Sequence, residues 1–396
     1  MFLDVLRRRN PQLIEQAIVL HQAGRIPANS YVIDLDAVES NSRTIKAAAD
    51  RLRLKVFAMT KQMSRSPSFC AAVARGGIAK AVVVDMEDAR ACHRAGLAIG
   101  HIGHLVQIPK AETAAAATLE PDYWTVFNFE KAAAAADAAR MRGRVQDMLA
   151  RIETAGDTFY RGHEGGFAVD DVVTVADRID AREGARFAGI TTFPALLFDV
   201  AERKIVPTPN LRTLEKAASA LARSGRGDIE INAPGTNSSI VLQSLADAGA
   251  TQVEPGHGLT GTTPLHAVED LPELPAVVYL SEVSHHHRGD AFCFGGGLYI
   301  DPVFPDYGLK AIVARDPTVA ANALRSVEIP VPAAIDYYGM IDTASGPAAI
   351  GDSVVFGFRP QAFVTRANVV GLAGVRGTPV VATISDAYGR PAGWPI

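Results

Sequence analysis

From Lys55 to Glu254 the chain alternates short apolar, β-favouring runs with helix-periodic segments, and this rhythm narrows its fold more than any other feature. Strands are expected at 55–59, 81–85, 100–106, 124–127, 149–153, 187–192, 228–232 and 252–254. Helices are expected between them, at 66–75, 86–95, 111–118, 130–142, 169–179, 210–224 and 238–248. Strict alternation makes a parallel sheet, and eight strands in about 200 residues suggest closure into a (β/α)8 TIM barrel rather than an open doubly wound sheet.

Residues 1–29 read as a helical lead-in, periodic over 11–23, followed by a strand at 31–35 and a helix at 36–53. Around Pro264 the rhythm changes, and 268–275 (VEDLPELP) is an acidic, proline-bearing linker. Beyond it, strands at 277–283, 291–294, 298–300, 311–313, 353–358 and 361–364 predict a C-terminal β-rich domain. The expected organisation is therefore a lead-in (1–29), a barrel domain (30–265) and a β domain (270–396).

With 396 residues, 48% of them hydrophobic, the chain can bury a substantial core. Its 39 basic and 43 acidic side chains give a net charge of −4, which argues against nucleic acid or an anionic membrane as the main partner. Three widely spaced cysteines, Cys70, Cys92 and Cys293, form no CxxC pair and read as reduced thiols of a cytoplasmic protein. Cys70 and Cys92 fall in helical segments, as packed hydrophobes.

In a βα barrel the active site lies at the C-terminal strand ends. Lys61 follows the first strand in KVFAMTKQ, where an amine shielded from water can attack a carbonyl carbon and form a Schiff base. The loops after strands seven and eight, 232–239 (NAPGTNSS) and 254–263 (EPGHGLTGTT), offer glycines, hydroxyls and backbone N–H groups suited to a phosphate. Their candidate residues are Asn232, Thr236, Asn237, Gly256 and His257, with Glu254 at the same strand end. The longest loop, 154–167 (TAGDTFYRGHEGGF), is a natural substrate element holding His163 and Glu164. His101 and His104 are three apart, so on a regular strand at most one faces the mouth, and His104 is the better placed. His285–His287 would point alternately to opposite faces, so no metal is expected there.

VIDLDAVESNSRTIK, VFAMTKQ, GHIGHLVQ and VEPGHGLTG resemble, in this order, the fold-type III pyridoxal-phosphate enzymes, the group of alanine racemase and the ornithine-decarboxylase-like enzymes. With FPALLFD, NAPGTNSS, SEVSHHHRGD and FVTR the resemblance extends nearly end to end to the YhfX-type branch, described as amino-acid racemase-like. It implies that Lys61 carries the cofactor, that Gly256, His257 and the 232–239 loop hold its phosphate, and that Glu254 faces the ring nitrogen. A carboxylate there favours the protonated ring, a strong electron sink, whereas the racemase has arginine. Thr192 stands where a histidine is usual, Glu164 near a usual arginine, and Phe294 at the position of the racemase's catalytic tyrosine. Phenylalanine moves no proton, so Cys293 is the expected acid/base opposite Lys61, with Tyr299 in reserve.

The resemblance further implies a homodimer with shared active sites, for which 293–299 (CFGGGLY) supplies an apolar, glycine-rich face. The expected function is proton, carboxylate or elimination chemistry at Cα of an amino acid or related amine. Alternatives are a non-catalytic pyridoxal-phosphate-binding protein, and an aldolase that uses Lys61 without the cofactor.

Overall fold

The computed structural model describes residues 1–299, 301–305 and 307–394. They fall into two compact units: one of 42–60 and 73–258, the other of 1–41, 61–72 and everything from Leu259 on.

The first unit is the barrel. Its parallel strands run Lys80–Val82, Ala98–Ile102, Tyr123–Val126, Gln146–Glu153, Ala185–Thr191, Glu230–Asn232 and Gln252–Val253, each beside the next. The eighth strand is split at Phe57. Lys55–Val56 pairs with Gln252–Val253, and Ala58–Met59 pairs with Lys80–Val82, so the ring closes through both halves. Near-continuous burial along Ala98–Ile102, Tyr123–Val126 and Gln146–Glu153 fits strands covered on both faces by helices. Asp85 and Asn128 cap the helices Met86–Arg94 and Phe129–Arg140, accepting from the N–H groups of Asp88 and Lys131. A hairpin, Leu196–Asp199 with Lys204–Pro207, interrupts the alternation and was not anticipated.

The second unit is a nine-stranded sheet. Six of its strands form a closed antiparallel ring: Val277–His287, Asp290–Phe294, Tyr338–Asp342, Leu324–Glu328, Lys310–Ala314 and Ser353–Phe356. Ser30–Asp34 extends it from Val277–His287, followed by Asn368–Ala373 and Val380–Ser385. Helices Phe2–Arg9 and Pro11–Gln22 are part of this unit, their Leu3, Leu6, Leu13, Ile14 and Ile18 packed with Val278, Leu280, Val355 and Val370.

Several expectations need correction. Residues 30–34, assigned to the barrel domain, pair instead in the antiparallel sheet, because an apolar five-residue run carries a strand signal without naming its partner. Residues 361–364 form a 3-10 turn at Ala362–Val364. Leu298 and Tyr299 are not in a strand, and Ile300 lies outside the described residues. The glycines of CFGGGLY are packed within their own unit rather than presented as a smooth outer face. A Cβ on Gly295 would sit 1.9 Å from the Asp336 carbonyl, and one on Gly297 2.5 Å from the Tyr279 ring. Among the described residues no helix is long and apolar enough to cross a membrane.

Candidate active site

Phe57, Met59, Val82, Tyr123 and Leu149 fill the barrel interior. Side chains alternate along a strand, so Thr125 and Arg151, two residues past Tyr123 and Leu149, also point inward but one layer nearer the C-terminal strand ends. There the lining turns polar. Glu254, directly after Gln252–Val253, has a side chain 1% exposed and lies at the centre. His101 Nδ1 is 2.6 Å from Glu254 Oε1, and its Nε2 is 2.6 Å from Thr125 Oγ1. His104 Nε2 is 3.2 Å from Glu254 Oε2. Asn232 Nδ2 donates to Oε1 at 2.9 Å, while its Oδ1 accepts from Thr191 Oγ1 at 2.7 Å. Burial alone would raise the Glu254 carboxyl, but attraction to His104 and His101 and hydrogen bonds from His101 and Asn232 hold it below the ordinary value. A charged carboxylate is thus maintained out of contact with water.

Both histidines reach this carboxylate, against the expectation that only one would. The strand ends at Ile102, and Gly103 turns the chain at φ +76°, where a Cβ would lie 2.7 Å from the Thr125 carbonyl. The two-residue alternation therefore does not carry through to His104. The nearest ligand atoms of His101, His104 and Glu254 lie within 4.8 Å of one another, with both His101 nitrogens already engaged by Glu254 and Thr125. His285–His287 do not converge: a bulge interrupts the strand, His285 stacks on Phe292, and His286 Nε2 lies 2.6 Å from the Ala348 carbonyl.

The loops 232–239 and 254–258 touch in the same unit. The Glu254 N–H donates to Asn237 Oδ1 at 3.1 Å. A Cβ on Gly258 would meet the Asn237 carbonyl at 2.5 Å, so only glycine allows this approach. Asn237 is buried, and its Nδ2 has no hydrogen-bond partner among the described residues. Thr236 is half-buried, its N–H bonded to the Leu196 carbonyl. Gly256 and His257 are half-buried, His257 opening a 3-10 turn. Gly258→Ala should lower stability by about 1–3 kcal/mol, the range for overpacking, read from the urea midpoint.

Lys61 opens the 3-10 turn Lys61–Met63, two residues past Ala58–Met59, and is half-buried. Its Nζ lies 5.3 Å from the centre of the Phe363 ring, which Arg65 also faces at 5.6 Å. Ser64 and Arg65 hold positive φ of 54° and 53°, braced where Gly389 packs against their carbonyls.

Cys293 does not suit the role expected of it. It is fully buried between strands, and burial pushes its thiol up to about 11, the opposite direction from an easily ionised acid/base. Cys293→Ala is expected to cost about 1 kcal/mol of stability, a small buried-atom loss, and to leave turnover unchanged in a steady-state assay. Phe294 lies partly exposed against Tyr338, and Tyr299 is half-buried.

In the 154–167 loop, His163 and Tyr160 face the Phe193 ring, which His104 meets edge-on at 5.8 Å. Glu164 is turned back on its own loop, accepting from the Gly162 N–H at 2.6 Å, and its side chain is exposed. Arg151 was missed. It is fully buried, with a guanidinium over the rings of Phe127 and Phe159. Its signal was available: a lone arginine inside the apolar run MLARIE.

The family model described as "Alanine racemase, N-terminal domain" matches residues 33–264, and that described as "YhfX-like, C-terminal domain" matches 278–381. A protein of Escherichia coli K12 described as "Uncharacterized protein YhfX" is 38% identical over 396 residues, 99% of this chain and 100% of that one. Among solved structures, D-threonine aldolase from Filomicrobium marinum aligns at a TM-score of 0.67 and 18% identity, over 93% of this chain and 96% of that one. Alanine racemase from Clostridium difficile 630 in complex with cycloserine aligns at 0.63 and 14%, over 91% and 99%. D-threo-3-hydroxyaspartate dehydratase from Delftia sp. HT23 aligns at 0.62 and 16%, over 91% and 97%. At these identities the structures speak for the fold.

Proposed function

The chain belongs to the YhfX-type branch of the alanine racemase-like, fold-type III family, and from that premise we propose that it is a pyridoxal 5'-phosphate enzyme acting at Cα of an amino acid or related amine. The residues present fit the group. Asn237 offers a buried donor without a partner among the described residues, beside a loop contact that only glycine permits, as a phosphate cradle needs. The observation that carries the reading is Glu254, a buried carboxylate at the end of its strand that His101, His104 and Asn232 keep charged, as an acceptor for a protonated ring nitrogen must be.

When bound, the cofactor supplies an electron sink for negative charge at Cα. Lys61 would hold it covalently through Nζ and would be the base at Cα. Glu254 would keep a proton at the ring nitrogen, and His101, His104 and Asn232 keep the carboxylate charged and oriented. Thr236, Asn237, Gly256 and His257 would bind the phosphate. The chemistry we favour is completed from one face, as in a lyase, rather than two-base racemisation. Phe294 carries no proton, and the buried thiol of Cys293 is held protonated. Its unbridged cysteines suit a cytoplasmic enzyme. The working form is proposed as a homodimer with shared sites, which light scattering at assay concentration tests: full activity as a monomer would contradict it.

The purified protein should be yellow, or become so with added pyridoxal phosphate. Its visible spectrum should change with some amino acids, and those same amino acids should exchange their α-proton in deuterated water. A yellow protein indifferent to every amino acid would instead be the non-catalytic carrier.

A further inference from the structure

Glu254 has one oxygen that the protein does not hydrogen-bond. Oε1 accepts from Asn232 Nδ2 at 2.9 Å and lies 2.6 Å from His101 Nδ1. Oε2, in a side chain only 1% exposed, has no hydrogen-bond partner among the described residues. His104 Nε2 stands 3.2 Å from Oε2 without making that bond. A buried carboxylate oxygen without a donor is costly. A histidine nitrogen and a carboxylate oxygen held this close, with no hydrogen bond between them, are arranged as two ligands of one cation are.

The third ligand is in place. The nearest ligand atoms of His101, His104 and Glu254 all lie within 4.8 Å of one another. A zinc ion bound at about 2.0–2.2 Å sets tetrahedral nitrogen and oxygen ligands roughly 3.3–3.6 Å apart. The observed separations of 2.6 and 3.2 Å therefore need only modest opening. The outer contacts are also those of a metal centre. His101 Nε2 lies 2.6 Å from Thr125 Oγ1, which fixes the ring with Nδ1 towards the carboxylate. Asn232, itself bonded to Thr191, orients Glu254. Around them the shell is apolar, with Phe57 at 6.4 Å from the His101 ring and Phe193 edge-on to His104 at 5.8 Å. Two imidazoles and one carboxylate suit Zn²⁺ and its first-row neighbours rather than Mg²⁺ or Ca²⁺.

We propose that His101, His104 and Glu254 form a binding site for a divalent transition-metal ion of the Zn²⁺ class, filled when the cofactor is absent. His101 binds through Nδ1, whose proton the ion displaces, His104 through Nε2 and Glu254 through Oε2. One carboxylate cannot answer both an ion and a protonated ring nitrogen, so metal and cofactor exclude each other. The metal site stands whether or not the barrel is an enzyme; the exclusion rests on that reading.

The test uses the full chain, stripped of cofactor with hydroxylamine and of metal with a chelator, and Co²⁺ as probe. It should take up one Co²⁺ per chain with the visible bands of a low-coordinate ion, which the aqueous ion lacks, and Zn²⁺ should bleach them. His104→Ala and Glu254→Gln should each weaken the metal at least about 10-fold. His104→Cys, which restores a ligand, should recover the bands with added thiolate absorption. Far-ultraviolet circular dichroism on the same samples checks that each variant is folded. His286→Ala combined with His287→Ala should change nothing. Absence of the bands, bands unchanged in both His104→Ala and Glu254→Gln, or bands lost with His286 and His287, overturns the proposal. With pyridoxal phosphate attached, calorimetry should show Zn²⁺ binding about 10-fold or more weakened; equal binding places the ion elsewhere and also overturns it. Failure of pyridoxal phosphate to attach defeats the enzyme reading and not the metal site, which the cobalt spectrum of the stripped chain decides by itself.

Discussion

Lys61→Ala is expected to abolish turnover, with a loss at or beyond the upper end of the roughly 10²–10⁴-fold range of a removed general base, because the covalent anchor goes with it. Lys61 is half-buried in a 3-10 turn, with its Nζ 5.3 Å from the centre of the Phe363 ring, so removing the side chain also costs stability, of which that contact is worth about 0.5–1 kcal/mol. Lys61→Arg keeps a cation over that ring and still has no amine able to attack a carbonyl. Comparing the two variants separates charge from chemistry. Steady-state rates and urea midpoints on the same preparations should show both inactive and both folded. A residual rate near wild type in either would remove Lys61 from the reaction.

Glu254→Gln should lower turnover by about 10²-fold or more, since an amide cannot hold a proton at the ring nitrogen while staying negative. It should also disturb the fold, because His101, His104 and Asn232 all direct their polar atoms at this carboxylate. Leaving one buried donor unanswered costs about 1–3 kcal/mol. The pH dependence has a definite sign. Because the folded carboxyl lies below its ordinary value, its contribution to stability is complete above the ordinary carboxylate range. That contribution is lost as the pH falls through the folded value. Urea midpoints measured from neutral into acid should therefore fall less steeply for Glu254→Gln than for the wild type. Identical slopes would mean the carboxylate is not held charged by its neighbours.

Much of the barrel was legible. Each of its eight strands was anticipated within a few residues, because buried parallel strands read as apolar runs and the helices between them keep a helical period. The antiparallel unit was read less well. Leu324–Glu328, Tyr338–Asp342, Asn368–Ala373 and Val380–Ser385 were missed, since half-exposed strands such as LRSVE and VVATIS carry few apolar residues in a row. Ser30–Asp34 was seen as a strand, but its partners lie some 250 and 340 residues away (Val277–His287 and Asn368–Ala373), beyond the reach of local pattern.

At the candidate site, Glu254, Asn232 and Asn237 were named from their place at strand ends, and the structure joins them through two hydrogen bonds. His101 was set aside because strand alternation was extended past Gly103, where the backbone leaves the strand. Arg151 escaped because an arginine in an apolar run reads as a surface residue until its burial is seen. Cys293 failed for the converse reason: a thiol beside glycines looked reachable, and the strands on either side enclose it.

The most direct test is where the cofactor attaches. The full chain, incubated with pyridoxal phosphate, reduced with borohydride and digested, should carry the pyridoxyl group on the peptide containing Lys61. A pyridoxyl group on a different lysine, or on none, would contradict the assignment of this barrel as a pyridoxal-phosphate enzyme built on Lys61.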